Sequence, residues 1–341
     1  MLFKLFEFYG GRLMEKRRIK IVGTGFYVPD HVLTNADLEK MVDTTDEWIV
    51  SRSGIKTRHI VSPEQATSDL CIEAARRALK NAHLEPKDID VIMVATDTPD
   101  TTFPSTACYV QAALEADHVP AFDLVAGCTG FLYGLIIAEG MILGGTAKRI
   151  LLIGGEVLSK ITNWKDRNTC VLFGDAAAAA VLEESHDGSG MLSFYWKADG
   201  TLAHLLSLPA GGSRKPASVQ TVVDDQHFLQ MKGNEVFKHA VKRMGEAAEE
   251  ALKRAGLTKD DVDIFIPHQA NIRIIEAVGV RLKVPKNKLY INIDRFGNVS
   301  VGCIPIAIHE LRQHKKVKPG TIMLLDAFGA GFTWASVVYR W

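Results

Sequence analysis

Residues 74–91, AARRALKNAHLEPKDIDV, and residues 247–264, AAEEALKRAGLTKDDVDI, align without a gap and agree at nine of 18 positions. Each copy reads as an Ala/Leu/charge helix, a short Asp-bearing turn and the start of an apolar strand, Val91 to Ala95 in one and Ile264 to Pro267 in the other. The correspondence extends outward. Residues 148–155, KRILLIGG, answer residues 320–327, GTIMLLDA, and FGDAAAAAVL from Phe173 answers FGAGFTWASVV from Phe328. A period of about half the chain is too long for a solenoid and implies an internally duplicated α/β domain. Ile19 to Val22, Val91 to Ala95, Ile150 to Ile153 and Thr321 to Leu325 are continuous apolar runs, as expected of strands covered on both faces. The expected architecture is two similar halves, 14–185 and 186–341, stacked as an αβαβα five-layer sandwich. Two segments read as loops: 209–218, near the join of the halves, and 156–169, which has no counterpart in the second half.

The ends of the repeated strands carry the chemistry. The run Ala121 to Ala126 breaks at Gly127, and a helical pattern opens at or just after Cys128. Backbone N–H groups at a helix start favour thiolate over thiol and can hold a developing oxyanion. An isolated cysteine in such a place is more often a small core side chain. His268 directly follows the strand that matches Val91 to Ala95, and Asn298 lies in the glycine turn RFGNVS before another helix. Singly, these read as a structural histidine and a turn or cap residue. If the halves are pseudo-symmetric, Cys128, His268 and Asn298 converge.

The bulk composition narrows the alternatives. Forty basic and 40 acidic residues leave no net field for nucleic acid or an anionic membrane. The five cysteines, 71, 108, 128, 170 and 303, form no CxxC pair and no metal-ligand spacing, which fits reduced thiols in the cytosol. No stretch approaches the ~20 apolar residues of a membrane span, because Phe131 to Leu143 is interrupted by Glu139. The opening segment, 1–13, is apolar and aromatic but lacks the features of a signal peptide. It reads as a translated leader, with Met14 the expected start.

The stretches VAGCTGF around Cys128, HQANIR from His268, FGNVS around Asn298 and AFGAGFTW ending at Trp334 resemble the β-ketoacyl-acyl-carrier-protein synthase III family. The likeness runs from about Ile19 to Trp341 and includes NADLEKMVDTTDEWI from Asn35. The resemblance implies the thiolase fold, usually a homodimer. It also implies the decarboxylating condensation of acetyl-CoA, or another short primer, with malonyl-acyl carrier protein through an acyl-Cys128 intermediate. Elongating ketosynthases use two histidines where this chain has His268 and Asn298, and a biosynthetic thiolase would need a second cysteine where this chain has Ala330. Gly127 stands where the family more often has Ala, and Phe296 where it has His or Tyr; both leave the reaction intact and put the acyl preference in question.

By the same resemblance, Cys128 and Ala330 supply the backbone oxyanion hole, and Trp48 and Arg167 sandwich the adenine of CoA. Arg52 lies near the phosphates, while Gly233, Asn234 and Asn271 line the pantetheine channel. Phe103 is the residue a neighbouring subunit inserts to close the acyl pocket. Arg273, Lys238, Lys242, Arg281 and Lys283 are candidates for steering the acidic acyl carrier protein. No metal and no cofactor are required beyond the acyl-CoA substrate. Two other readings stay open on the residues: a related ketosynthase of polyketide, alkylquinolone or long-chain ketone synthesis, and a non-catalytic thiol sensor, which leaves His268 and Asn298 without a role.

Overall fold

The computed structural model describes residues 17–341; the expectation for residues 1–13 lies outside them. Two sheets carry the fold. The first contains β1 (Arg18–Tyr27), β2 (Val91–Ala95), β3 (Ala121–Leu124), β4 (Arg149–Val157) and β5 (Asp175–Ser185), in the order β1-β5-β4-β2-β3. The second contains β6 (Gly190–Ala198), β7 (Ile264–Pro267), β8 (Ile322–Gly329) and β9 (Thr333–Arg340), in the order β6-β9-β8-β7. In each, a parallel pair (β2 with β4, β7 with β8) continues on one side into two antiparallel strands (β5 and β1, β9 and β6), so the second sheet repeats four strands of the first; the fifth, β3, adds parallel to β2. The counterpart of β3 is reduced to a bridge between Phe265 and Leu289.

Helices cover the sheets on every face. On the described residues these are α2 (Thr67–Ala82), α3 (Thr106–Ala113), α4 (Gly130–Leu143), α5 (Gly233–Ala255), α6 (Ile272–Leu282) and α7 (Cys303–Gln313), while α1 (Asp46–Ser53) packs outside the two sheets, its Ile49 with Ile275 of α6. Successive strand side chains point to opposite faces, and β4 shows the consequence. Leu151 and Ile153 pack with Leu70, Ala74 and Ala78 of α2, whereas Ile150 and Leu152 pack with Phe131 and Leu135 of α4. The same alternation in β8 sends Leu324 and Phe328 to α5 and α6, and Met323 and Leu325 to the middle layer with Ile304 and Ile308 of α7. The layers are therefore α2/α3, sheet, α4/α7, sheet, α5/α6, which is the expected five-layer sandwich.

Some expectations needed correction. The strand expected over 121–126 stops at Leu124 and is only partly buried, because β3 is a sheet edge. The segment 209–218 is not at the join. The halves meet in the tight turn between β5 and β6, and 209–218 belongs to an excursion after β6, with the small strands Leu206–Ser207 and Gln230–Met231 at its base. The segment 156–169 is more ordered than a loop: β4 continues to Val157, a 3₁₀ turn spans Leu158–Ile161, and a helical turn begins at Arg167. Its counterpart between β8 and β9 is only residues 330–332.

The outer helix α2 lies so close to β1 that a Cβ on Gly25 would stand 2.5 Å from the Ala74 carbonyl oxygen and from the Ala78 amide nitrogen. Neither backbone atom can swing aside as a side chain would. Gly25→Ala should therefore lower unfolding free energy by about 1–3 kcal/mol in denaturant titration, whereas Gly200→Ala, with nothing within 4 Å of the added carbon, should stay within about 0.5 kcal/mol.

Candidate active site

Cys128 sits in a 3₁₀ turn, Gly127–Thr129, that leads into α4. Gly127 has φ +57°, and a Cβ there would lie 2.5 Å from the Ala330 amide nitrogen. Reciprocally, a Cβ on Gly329 would lie 2.5 Å from the Cys128 amide nitrogen. Two glycines thus let the backbones of 127–128 and 329–330 touch, one from each half. Thr333 Oγ1, 2.9 Å from Thr129 Oγ1 and 3.1 Å from the Ala330 carbonyl, ties the two turns together. Cys128 and Ala330 line the same cavity, one from each half. Glycine at 127 is explained by this contact: alanine would meet both the left-handed φ and the opposing backbone.

His268 follows β7, is almost fully buried, and is anchored by its backbone N–H to the Asp326 carbonyl at 2.7 Å. Gln269 fastens the turn behind it, donating to the carbonyls of Pro267 (2.8 Å) and Tyr290 (3.2 Å) and accepting from the Asn292 N–H (3.1 Å). Asn298 is bridged to Phe173 in the first half, and its Oδ1 accepts the Ser300 N–H at 3.0 Å. That bond occupies the amide oxygen and leaves the NH₂ end as donor. Ser300 Oγ is in turn 3.3 Å from Cys128 Sγ.

Cys128, His268, Asn298 and Ala330 thus line one cavity of about 300 Å³, otherwise walled mainly by apolar side chains such as Leu172, Leu206, Leu229, Met231 and Phe328. Burial shapes its protonation. It pushes the Cys128 thiol well above its ordinary range, with the carboxyl of Asp97 adding to the rise and the Ser300 hydroxyl opposing it. Desolvation is the largest of these influences and favours the thiol, against the thiolate that a helix start favours. Burial also pulls His268 down to about 4, leaving a neutral imidazole. Asp97 lines the same cavity and Glu156 lies next to it, and burial raises the pKa of both. Glu156 accepts from Thr98 Oγ1 (2.6 Å) and Asp97 from the Gly127 N–H (3.3 Å).

A second cavity of about 470 Å³ adjoins the first, with Leu172, Met231, Gly233 and Asn271 lining both. Trp48, Arg52, Asn234 and Arg273 line it as well. Asn271 also caps α6, accepting the Ile274 N–H at 2.9 Å. Arg52 and Arg167 both stack on Trp48, at 4.7 and 4.8 Å from the ring centroid, and Arg167 is held by the Asp43 carbonyl at 2.7 Å. Arg167 is therefore closed on the indole, without the gap that a base between them would need. Phe103 is absent from both linings and is 84% exposed.

The basic candidates divide. Arg273 is at the mouth, over the Phe237 ring at 5.7 Å, and Lys238 and Lys242 are exposed on α5. Lys238 is paired with Glu235 at 2.9 Å. Arg281 and Lys283 are not brought to the mouth. They lie toward the other end of α6, about 12 Å or more from Arg273 at 1.5 Å per residue, on a separate cleft with Lys253 and Lys259. The sequence reading missed Ser300, Asp97, Glu156 and Cys303. Asp97 and Glu156 did carry a signal, as carboxylates at the ends of otherwise apolar strands; Ser300 and Cys303 carried none.

Comparison with known proteins agrees with this geometry. Residues 122–200 match the family model for 3-oxoacyl-[acyl-carrier-protein (ACP)] synthase III, and residues 252–341 match the model for its C-terminal part. The chain is 55% identical over 329 residues to the beta-ketoacyl-[acyl-carrier-protein] synthase III of Caldanaerobacter subterraneus subsp. tengcongensis, covering 96% of this chain and 99% of that one. It is 52% identical over 323 residues to the enzyme of the same name from Desulfitobacterium hafniense, covering 95% and 98%. The crystal structure of 3-oxoacyl-[acyl-carrier-protein] synthase III from Aquifex aeolicus superposes with a TM-score of 0.88 at 46% identity, covering 95% of this chain and all of the other. With full-length identity above half and the same fold, the chain belongs to the β-ketoacyl-acyl-carrier-protein synthase III family.

Proposed function

We propose that this chain joins a short primer acyl group, delivered as acetyl-CoA or a close relative, to malonyl-acyl carrier protein with loss of carbon dioxide, initiating fatty-acid synthesis. The observation that carries this reading is the convergence of Cys128, His268, Asn298 and Ala330 on one apolar cavity. Cys128 attacks the thioester carbonyl, the N–H groups of Cys128 and Ala330 hold the oxyanion, and CoA leaves with the thiol proton. Malonyl-acyl carrier protein then enters. Its bond to the carboxylate breaks, carbon dioxide departs, and the electron pair moves into an enolate. A ring N–H of His268 and the amide N–H of Asn298 hold the enolate oxygen while its carbon attacks the acyl group. The Cys128 sulfur leaves and regains a proton, and acetoacetyl-acyl carrier protein is released.

Neutral donors suit this sequence, because an enolate in a low-dielectric cavity would be repelled by a carboxylate at the same place. The proposed steps need no metal and no redox cofactor. For CoA, the reading assigns Trp48, Arg52 and Arg167 to the nucleotide end and Gly233, Asn234 and Asn271 to the channel. Admitting the adenine requires Arg167 to withdraw from Trp48, an exchange of one stacking partner for another. We further propose a homodimer in the cytoplasm. The exposed Phe103 and Val125, together with the unpaired edge strand β3, support a second copy as the covering surface. Among the described residues no helix is long and apolar enough to cross a membrane.

Acetyl transfer and carbon dioxide release, assayed separately, test the reading. Cys128→Ser should lose condensation, while His268→Ala and Asn298→Ala should lose malonyl decarboxylation by about 100-fold or more and still accept acetyl from CoA. A Cys128→Ser protein that condensed like the wild type would sink it. Because burial raises the pKa of Cys128, its alkylation by iodoacetamide should be slow at neutral pH and still be climbing at pH 9, where an ordinary thiol is nearing its plateau; a plateau below pH 8 would show a resting thiolate. Arg273→Glu should weaken condensation with the carrier while sparing transfer from CoA, and equal losses in both would remove Arg273 from carrier docking.

A further inference from the structure

The proposed reaction gives Cys303 no task, yet its sulfur makes the closest contact found for the His268 ring. His268 Nδ1 lies 2.9 Å from Cys303 Sγ, and the backbone N–H of Gln269 points at the same sulfur from 3.5 Å. Cys303 is the first residue of α7, is buried, and is not part of the cavity wall that His268 helps to form. The sulfur therefore lies behind the ring, and the edge carrying Nε2 is left for the cavity.

A neutral imidazole has one N–H, and the partner of one nitrogen decides whether the proton sits on the other. A thiol has one proton to donate and lone pairs that accept. The Gln269 N–H already uses the sulfur as an acceptor. If Nδ1–H donated to it as well, the S–H would be left buried, and among the described residues no acceptor for it other than Nδ1 is found. With the S–H donating to Nδ1, the sulfur and the ring are both satisfied. A thiolate beside an imidazolium is disfavoured because burial penalises both charges: it pushes Cys303 up to about 12 and His268 down to about 4.

We propose that Cys303 is a positioning residue that fixes the tautomer of His268, holding its thiol proton on Nδ1 so that the ring presents Nε2–H to the enolate oxygen. The proposal deepens the decarboxylating reading given above and rests on it. The opposite tautomer would aim a lone pair at an anion. Cys303 lies five residues after Asn298, so one short segment carries the amide donor and sets the direction of the imidazole donor.

The test uses the full chain with ¹⁵N-labelled histidine, the His268 signals being assigned by their loss in His268→Gln, together with Cys303→Ala and Cys303→Ser. In the wild type Nδ1 should resonate as an unprotonated nitrogen and Nε2 as a protonated one. Cys303→Ser, whose hydroxyl can donate in the same direction, should keep that pattern, and Cys303→Ala should show a mixture of tautomers. Malonyl decarboxylation should fall at least about 10-fold in Cys303→Ala, acetyl transfer should stay within about twofold, and Cys303→Ser should restore decarboxylation. A wild-type proton on Nδ1, an imidazolium, or a Cys303→Ala protein that decarboxylates at the wild-type rate would overturn the proposal. So would equal losses in both half-reactions that serine does not rescue. If the alanine variant does not fold, the wild-type and serine spectra still decide the tautomer. A wild type with the expected spectrum but no decarboxylation would fail the functional reading and leave the tautomer assignment standing.

Discussion

The close approach of two backbone turns, Gly127–Cys128 from the first half and Gly329–Ala330 from the second, is the constraint on which the site depends. A Cβ at either glycine would fall 2.5 Å from the amide nitrogen opposite. The contact brings Cys128 and Ala330, one from each half, to the wall of a single cavity. It also dictates the middle of the sandwich. For the ends of β3 and β8 to meet, α4 and α7 must pack side by side between the sheets, and Phe131, Leu135, Ile304 and Ile308 accordingly share one core.

Duplication explains why chemistry collects there. Strand ends of the two sheets face each other across the middle layer, so a residue placed just past a strand in either half arrives near the same point. Cys128 comes from the first half; His268 and Asn298 come from the second. The halves differ where substrate has to enter. The first half carries the segment between β4 and β5 that holds Arg167 against Trp48, while the corresponding turn of the second half, 330–332, is three residues long and lies against Gly127.

Much of this was legible in the sequence because duplication and strand burial leave long patterns. The repeat at 74–91 and 247–264 marked the two halves, and the strand-end positions of Cys128, His268 and Asn298 identified the convergence. What was not legible depends on directions and distances. Whether a thiol at a helix start ionises is a contest between the helix field and desolvation, and how strongly desolvation opposes the thiolate depends on a burial that only the folded cavity shows. Arg281 and Lys283 were grouped with Arg273 by sign and proximity in sequence, yet successive turns along α6 carry them away from the mouth. Arg167 stacked directly on Trp48 could not be anticipated from residue types that equally suit a bound base between them.

The protonation pattern follows from the same geometry. Closing the cavity with apolar walls removes water from Cys128 and His268 and drives both toward their neutral forms, thiol and imidazole. The third of these cavity residues carries no charge either: the amide of Asn298 is neutral by nature and oriented by the Ser300 N–H. Negative charge therefore enters the cavity with the chemistry, first as a tetrahedral oxyanion and then as an enolate, and meets dipoles already fixed in place. Fixed dipoles require no reorganisation when the charge forms, whereas a resting imidazolium or thiolate would have needed a counter-charge that the substrate would then have to displace. Desolvation, which makes Cys128 a poorer nucleophile at rest, is the same property that strengthens every N–H pointed at the developing anion.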